Sequence, residues 1–336
     1  MKNTLIAGAA ALAALFTGAA SAQSITGAGA TFPAPIYQKW FADYHAAHSG
    51  VQINYQAIGS GGGIKQLTDG TVDFGASDKP MSDTEVAAVK VKPLHFPTVL
   101  GGVVLTYNVP GVETGLQLSG DVVAGIFMGT IKKWNDPKIK ADNKKANLPD
   151  KDIVVVRRSD SSGTSFVFTD YLSQVSPEWK SKVGAATAVQ WPTGLGQKGS
   201  DGVAGMVKQT PNSIGYVELL FAAQNKMTFA DLKNASGKYV KATFESVTAA
   251  AAASKGLDKD FRGSIVNAPG AKSYPLSTYT WLLIPSQIAD AGKKKAITEF
   301  LKWMLTDGQK QAEGLSYAPL PAAVAKQVQA QIALIK

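Results

Sequence analysis

The chain of 336 residues contains no cysteine and only three histidines. The lack of thiols excludes disulfide frameworks, cysteine-based zinc sites and cysteine nucleophiles together. Three histidines are too few for most metal-binding or acid–base centres. Charged residues are also scarce, at 18% of the chain, although Lys and Arg outnumber Asp and Glu by 34 to 25. The net charge of +9 is therefore dilute, and we expect dispersed lysines on solvated faces rather than a nucleic-acid surface.

Apolar stretches long enough to span a membrane are lacking as well. The N-terminal segment carries Lys2, an apolar stretch over residues 5–16 and a small-residue sequence at 20–22. That stretch is too short to cross a bilayer, and the three features in this order are typical of a secretory signal peptide. We therefore predict a signal peptide over residues 1–22, cleavage before Gln23 and export of a mature chain to the periplasm.

Along the rest of the chain, predicted strands alternate with Ser- and Gly-containing turns and amphipathic helices. Residues 51–58 alternate apolar and polar side chains, which is typical of a half-buried strand. Residues 96–109 are almost wholly apolar and favour a central strand covered on both faces. Such alternation predicts an α/β protein with mainly parallel sheets, whose ligands bind at the carboxyl ends of the strands.

The pattern also predicts two lobes. A second apolar run over residues 279–284, together with residues 96–109, could form two crossings between them. We expect lobe I to contain residues 24–103 and 280–336, and lobe II to contain residues 104–279.

The first predicted helix follows a short strand that ends in glycines. Thr31 is expected to be its N-cap, because a proline follows within the first turn and apolar residues then recur at helical spacing. These residues predict one buried face, formed by Ile36, Tyr37, Trp40, Phe41 and Tyr44.

Three short segments place hydroxyl groups and small residues at predicted helix N-termini. Free backbone N–H groups and the helix dipole favour a bound anion there, and glycine lets the anion approach the main chain closely. Any one such segment is more often an ordinary helix cap, so the prediction of an anion site depends on their occurring together beside an arginine. The segments are Gly29-Ala30-Thr31-Phe32, Gly59-Ser60-Gly61-Gly62 and Ser162-Gly163-Thr164.

Two charged positions accompany these segments. Arg158 ends a predicted strand just before the third segment, and its planar donor group matches the geometry of phosphate. Asp160 either holds that guanidinium by a salt bridge beside the anion or merely pairs with it at a sheet edge. Asp78 would repel an anion unless the anion carries a proton to donate. Phosphate keeps a proton near neutral pH and sulfate does not, so we predict that Asp78 selects phosphate.

Five segments together resemble the periplasmic phosphate-binding proteins of high-affinity phosphate ABC transporters. The resemblance implies a type II-like binding protein of two lobes, each a mainly parallel sheet flanked by helices, joined by crossing strands and closing on one dehydrated phosphate. Two residues depart from the pattern of this family: Gly61 stands where serine is common, and Ser161 stands where glycine is common. Neither position is a usual direct ligand of phosphate. The segments are residues 26–35, 72–78, 156–166, 191–192 and 214–218.

The same resemblance implies the ligand contacts and the partners. A monomer would deliver phosphate to membrane permease subunits, with no cofactor, no metal, no catalytic residue and no nucleic acid. Asp160 resembles the residue that pairs with the arginine. The implied phosphate contacts are Thr31, Phe32, Ser60, Asp78, Arg158, Ser162, Gly163 and Thr164.

Two other functions remain open from the residues alone. An exported hydrolase, such as a phosphatase, could use the same anion site. Such an enzyme needs a nucleophile with a base, or a pair of metal ions, and no serine in this sequence has the Gly-x-Ser-x-Gly context. A basic surface adhesin or polyanion binder would show steep salt dependence without selectivity for phosphate. The glycine pattern over residues 194–199 is interpreted as a chance match to a dinucleotide motif, and His45 with His48 as a solvated helix end rather than a metal site.

Overall fold

The computed structural model describes residues 22–336. The predicted signal peptide over residues 1–22 therefore lies outside the described residues, apart from Ala22. The strands are β1 (Gln23–Gly29), β2 (Val51–Ala57), β3 (Phe74–Ser77), β4 (Pro93–Asn108), β5 (Gln117–Leu118), β6 (Val154–Arg158), β7 (Leu195–Gln197), β8 (Ser213–Glu218), β9 (Thr228–Phe229), β10 (Asp231–Lys233), β11 (Tyr239–Val240) and β12 (Ser277–Pro285).

Helices follow most of these strands. They are α1 (Ala34–Ala47), α2 (Ser60–Asp69), α3 (Asp83–Ala88), α4 (Gly120–Phe127), α5 (Pro137–Asp142), α6 (Gly163–Val175), α7 (Pro177–Lys182), α8 (Gly199–Gln209), α9 (Leu219–Gln224), α10 (Phe244–Ala253), α11 (Ala291–Trp303) and α12 (Ala322–Gln331). Short irregular helical turns occupy Met304–Gly308, Gln309–Gln311, Glu313–Leu315 and Ile332–Leu334. Within residues 22–336, no helix combines the length and the apolar character that crossing a membrane requires.

The main sheet has the strand order β2-β1-β3-β12-β4-β8-β6-β7, with β9 added beside β4. At one end, β1 is parallel to β2 and β3, and helices α1 and α2 pack against this group. At the other end, β6 is parallel to β7 and β8, and α8 packs against them. The predicted α/β architecture is confirmed, because each parallel group is built from strand–helix units. A separate small sheet has the order β11-β10-β5.

Strand β4 joins the two parallel groups. Its residues are buried almost throughout, as expected for a central strand with both faces covered. Residues 93–102 pair antiparallel with β12, and residues 103–108 pair antiparallel with β8. The strand thus changes partner at the predicted boundary between lobes I and II. The division of the chain into these lobes stays a prediction.

Helix α1 begins later than the sequence indicates. Its N-cap is Pro33 and no side chain caps it, so the predicted N-cap at Thr31 is wrong. The Thr31 hydroxyl instead forms a hydrogen bond with Ser200, far along the chain, and is therefore withdrawn from the helix end. The predicted apolar face is confirmed, since all five of its residues are buried: Ile36, Tyr37, Trp40, Phe41 and Tyr44.

Candidate functional site

The predicted anion-site residues converge at the carboxyl ends of strands in the main sheet. Thr31 follows β1, Asp78 follows β3, and Arg158 is the last residue of β6. Ser60 begins α2, and Ser162 is the N-cap of α6, where it accepts a hydrogen bond from the Ser165 N–H at 3.1 Å. Carboxyl ends of parallel strands and helix N-termini together form the usual ligand-binding edge of an α/β sheet.

Gly163 lies at a point of close approach between the two parallel groups. A Cβ atom on Gly163 would stand 2.2 Å from Ser60 Oγ and 2.6 Å from Asp78 Oδ2. Contacts this short do not occur between real atoms, so a larger residue would force the first turn of α6 away from Ser60 and Asp78. The glycine therefore permits the first turn of α6 to meet residues carried by the other parallel group.

Asp78 is 2% exposed and is held from two directions. Its Oδ1 accepts a hydrogen bond from Thr280 Oγ1 at 2.8 Å, and its Oδ2 accepts a long one from Ser60 Oγ at 3.5 Å. Burial, followed by the negative charge of nearby Glu218, raises the pKa of Asp78 to about 8. The acid form therefore prevails near neutral pH in this arrangement. Since a protonated carboxyl can donate a hydrogen bond to any anion, the predicted exclusion of sulfate requires the ionised form and depends on pH.

Arg158 is also 2% exposed, and its guanidinium is divided between two tasks. Nε and Nη2 donate to Asp160 Oδ1 and Oδ2 at 2.7 and 2.6 Å, a bidentate pair at the carboxyl end of β6, which lies between β7 and β8. Burial alone would raise the pKa of Asp160, but these bonds from Arg158 hold that pKa below its ordinary value. The bidentate face of the arginine is thus used by Asp160, and Nη1 is the group directed to the site.

Three hydroxyl groups surround Nη1 of Arg158. It donates to Ser200 Oγ at 3.1 Å, to Thr31 Oγ1 at 3.2 Å and to Thr164 Oγ1 at 3.4 Å. Thr31 Oγ1 and Ser200 Oγ are also hydrogen-bonded to each other at 3.0 Å. One cationic donor and three hydroxyls from separate elements can therefore direct hydrogen bonds to a single small anion.

Phe32 takes a different place beside this group. Its side chain is fully buried, and its carbonyl accepts a hydrogen bond from the Tyr317 hydroxyl. The phenol lies in edge-to-face contact with the Phe32 ring, at a centroid distance of 5.7 Å. These contacts fix the short segment between β1 and α1, which also carries Thr31.

Three residues at the site are not among those predicted from the sequence. Ser200 lies in the first turn of α8, directly after the glycine-rich segment, so its local signal resembles that of the three predicted segments. Glu218 is a charged residue between two apolar runs, and it accepts a hydrogen bond from the Thr164 hydroxyl. Thr280 is a single hydroxyl within the apolar strand β12, where nothing local distinguishes it from a core residue.

The remaining segments singled out in the sequence either lie away from this group of residues or contribute to it in a way that the sequence did not predict. The glycine-rich segment at 194–199 forms β7 and the start of α8, which contributes Ser200. His45 and His48 each use Nδ1 on a backbone carbonyl, that of Val51 and Tyr44 respectively. In the part of the chain that the structure describes, no three His, Cys, Asp or Glu side chains are grouped so as to hold a metal ion.

Comparisons with known proteins agree with one another. The family model for a PBP superfamily domain matches residues 16–308. The chain is 49% identical over 308 residues to the phosphate-binding protein PstS of Xylella fastidiosa, covering 91% of this chain and 84% of that protein. It is 46% identical to the phosphate-binding protein PstS of Pasteurella multocida, covering 92% of this chain and 90% of that protein.

A solved structure supports the fold. It is that of a high-affinity periplasmic phosphate-binding protein, PfluDING, bound with phosphate at pH 8.5, and it matches with a TM-score of 0.74. The sequence identity is 22%, and the match covers 92% of this chain and 94% of that one. The type II-like fold that the sequence resemblance implies is therefore confirmed.

Proposed function

The chain belongs to the PBP superfamily and, within it, to the PstS phosphate-binding proteins, and we propose on this basis that it captures inorganic phosphate for an ABC transporter. It does so as an exported, periplasmic protein whose signal peptide is cleaved before Gln23. The ligand lies between lobe I (24–103 and 280–336) and lobe II (104–279). A monomer then delivers phosphate to the membrane permease subunits.

The observation that carries this proposal is the buried Arg158 Nη1, surrounded by three hydroxyl groups and facing no carboxylate of its own. Asp160 orients the guanidinium through Nε and Nη2, so Nη1 donates only to neutral hydroxyls, which an anionic oxygen can displace. An anion oxygen near Nη1 would replace the hydrogen bonds from Nη1 to the three hydroxyls and the bond between Thr31 and Ser200. A rigid charged donor inside a buried site binds a small anion more strongly than a solvated lysine does.

The remaining ligand contacts come from helix N-termini and from one carboxyl group. Ser60 at the start of α2, and Gly163 with Thr164 at the start of α6, supply backbone N–H groups that have no partner within the first turn of a helix. Thr31 and Phe32 add contacts from the segment after β1. Ser162 is the N-cap of α6 and adds its hydroxyl, whereas its backbone N–H donates to the Thr187 carbonyl at 2.9 Å. Asp78 accepts the proton of the ligand, or shares one with it.

We propose binding without turnover. Asp78 contacts Thr280 and Ser60, and the buried hydroxyls of the site contact one another and Arg158, so none of these serines or threonines is paired with a histidine base. Nucleophilic catalysis on a phosphate ester needs such a pair or a metal. Incubation with a chromogenic phosphate ester should release no product at a protein concentration that takes up phosphate stoichiometrically.

Calorimetric titration of the chain from Gln23 onward tests the function. We expect saturable uptake of one phosphate per chain and, above about pH 8 where Asp78 is ionised, much weaker binding of sulfate at the same pH and ionic strength. A polyanion-binding protein would instead bind both anions with similar weak affinity and lose them steeply with added salt. The absence of saturable phosphate binding would overturn the proposed function.

A further inference from the structure

Glu218 is a buried carboxylate that the proposed ligand contacts do not use. It is the last residue of β8, it precedes α9, and it is 1% exposed. Its neighbours in sequence are apolar on both sides, from Tyr216-Val217 to Leu219-Leu220. Ionised side chains are rarely buried this completely unless they are paired, because burial removes their hydration. A carboxylate at this position therefore calls for a function.

The hydrogen bonds of Glu218 are incomplete. Oε1 accepts a bond from the Thr164 hydroxyl, whereas Oε2 is buried and has no hydrogen-bond partner among residues 22–336. The ion pairs found in this range do not include Glu218, and its side chain does not cap α9. Buried polar atoms without partners are rare in folded proteins, and each one requires an explanation.

The bond to Thr164 determines what that hydroxyl can offer. A threonine hydroxyl has one hydrogen, and here the hydrogen is donated to Glu218 while a lone pair faces Arg158 Nη1 at 3.4 Å. An anion that needs the Thr164 hydrogen must compete with Glu218 for it. Glu218 thus orients one of the three hydroxyls that surround the cationic donor.

Glu218 also acts on Asp78 through its charge. Next to burial, its negative charge is the largest influence that raises the pKa of Asp78, whereas Arg158 opposes it. The phenols of Tyr37, Tyr55 and Tyr317 also face this carboxyl, and burial raises the pKa of each, so they stay neutral. Besides Asp160, which already balances the charge of Arg158, the site therefore holds two further carboxyl groups, those of Asp78 and Glu218.

We propose that Glu218 is a positioning residue of the phosphate site. Its charge disfavours further negative charge beside Asp78, and its carboxylate orients the Thr164 hydroxyl. An anion is therefore accepted only together with a proton. This inference rests on the proposed phosphate function and adds the source of its proton requirement. An anion with a proton to donate meets an acceptor, whereas sulfate adds charge to a site that already contains Glu218. Sulfate can bind only while Asp78 keeps its own proton.

The coupling can be measured without a ligand by carboxyl-carbon NMR titration of Asp78. Glu218→Gln keeps an acceptor for Thr164 but removes the charge, and Glu313→Gln on the exposed surface is the matched control. In Glu218→Gln we expect the titration midpoint of Asp78 to fall by about one pH unit or more, because a like charge is removed. An Asp78 midpoint equal to that of Glu313→Gln would overturn the inference. Should Glu218→Gln not unfold cooperatively, Glu218→Met provides a second neutral variant with the same expectation.

Sulfate binding provides the functional measurement. Sulfate stays fully ionised over the accessible pH range, so the pH dependence of its affinity reports protein groups alone. At acid pH, where Asp78 is protonated, Glu218→Gln should bind sulfate about tenfold more tightly than the control, and this affinity should begin to fall at a lower pH. Superimposable sulfate profiles for the two variants would refute the role in selection. Failure of the parent protein to bind phosphate overturns the proposed function, whereas normal phosphate binding with an unmoved Asp78 titration overturns this inference alone.

Discussion

The charge of Asp78 should make the ligand-free protein less stable as the pH rises, and Asp78→Asn should remove this dependence. In the folded protein the pKa of Asp78 is raised from its ordinary value of 3.8 to about 8, chiefly by burial. The folded state therefore holds this proton more tightly than the unfolded state does. The resulting stabilisation is complete below the unfolded pKa and is lost as the pH rises between about 4 and about 8.

The size of the effect follows from the shift. Each unit of pKa corresponds to about 1.4 kcal/mol, so a rise of about four units amounts to roughly 5 kcal/mol once Asp78 is fully ionised. The Asn amide keeps an acceptor for the Thr280 hydroxyl, which limits other losses. The difference in unfolding free energy between Asp78→Asn and the parent should therefore change in favour of the variant by several kcal/mol as the pH rises from about 4 to about 8.

Denaturant unfolding at a series of pH values, without phosphate, measures this difference. Asp307→Asn, on the exposed surface, serves as the control for the loss of one carboxylate. Its unfolding free energy should follow that of the parent at every pH. If the parent and Asp78→Asn instead show parallel profiles across the whole range, the reasoning from burial is wrong. A confirmed difference would mean that the site keeps a destabilising carboxyl group for its function.

Three further predictions concern the ligand. Arg158→Ala should weaken phosphate binding by about 2–5 kcal/mol in calorimetric titration, because it removes the buried cationic donor. Arg157→Ala should weaken binding much less, and small and equal losses in the two variants would contradict the assignment of Arg158 as the cationic ligand. Asp78→Asn should let sulfate gain relative to phosphate in competition above about pH 8, where Asp78 of the parent is ionised, since the Asn amide can donate to a bare oxygen; continued exclusion of sulfate there would show that Asp78 is not the selector. Gly163→Ala should lower phosphate affinity at least about tenfold, because its Cβ would stand 2.2 Å from a facing hydroxyl, whereas Gly205→Ala, which meets nothing within 4 Å, should bind as the parent does. Equal phosphate affinity of the two glycine variants would mean that the close approach at α6 is not needed for binding.

Several features of the site are local and follow from the sequence alone. Ser162 is the N-cap of α6 because a hydroxyl residue before Gly163 suits a helix start, and only neighbouring backbone is involved. Arg158 and Asp160 are two positions apart on one segment, so their pairing was foreseeable, although its bidentate geometry was not. Burial of β4 likewise follows from its almost wholly apolar sequence.

The sequence by itself therefore determined the succession of strands and helices and the segments that can present donors to an anion, since periodicity and capping depend on residues a few positions apart. Only the tertiary structure decided which partners meet. Ser200 reaches Thr31 across 169 positions, Thr280 reaches Asp78 across 202, and no local pattern encodes either contact. The withdrawal of Thr31 from the end of α1, and the raised pKa of Asp78, have the same origin. Burial and charge proximity are properties of the packed chain, because they depend on segments that are brought together only when the sheet forms.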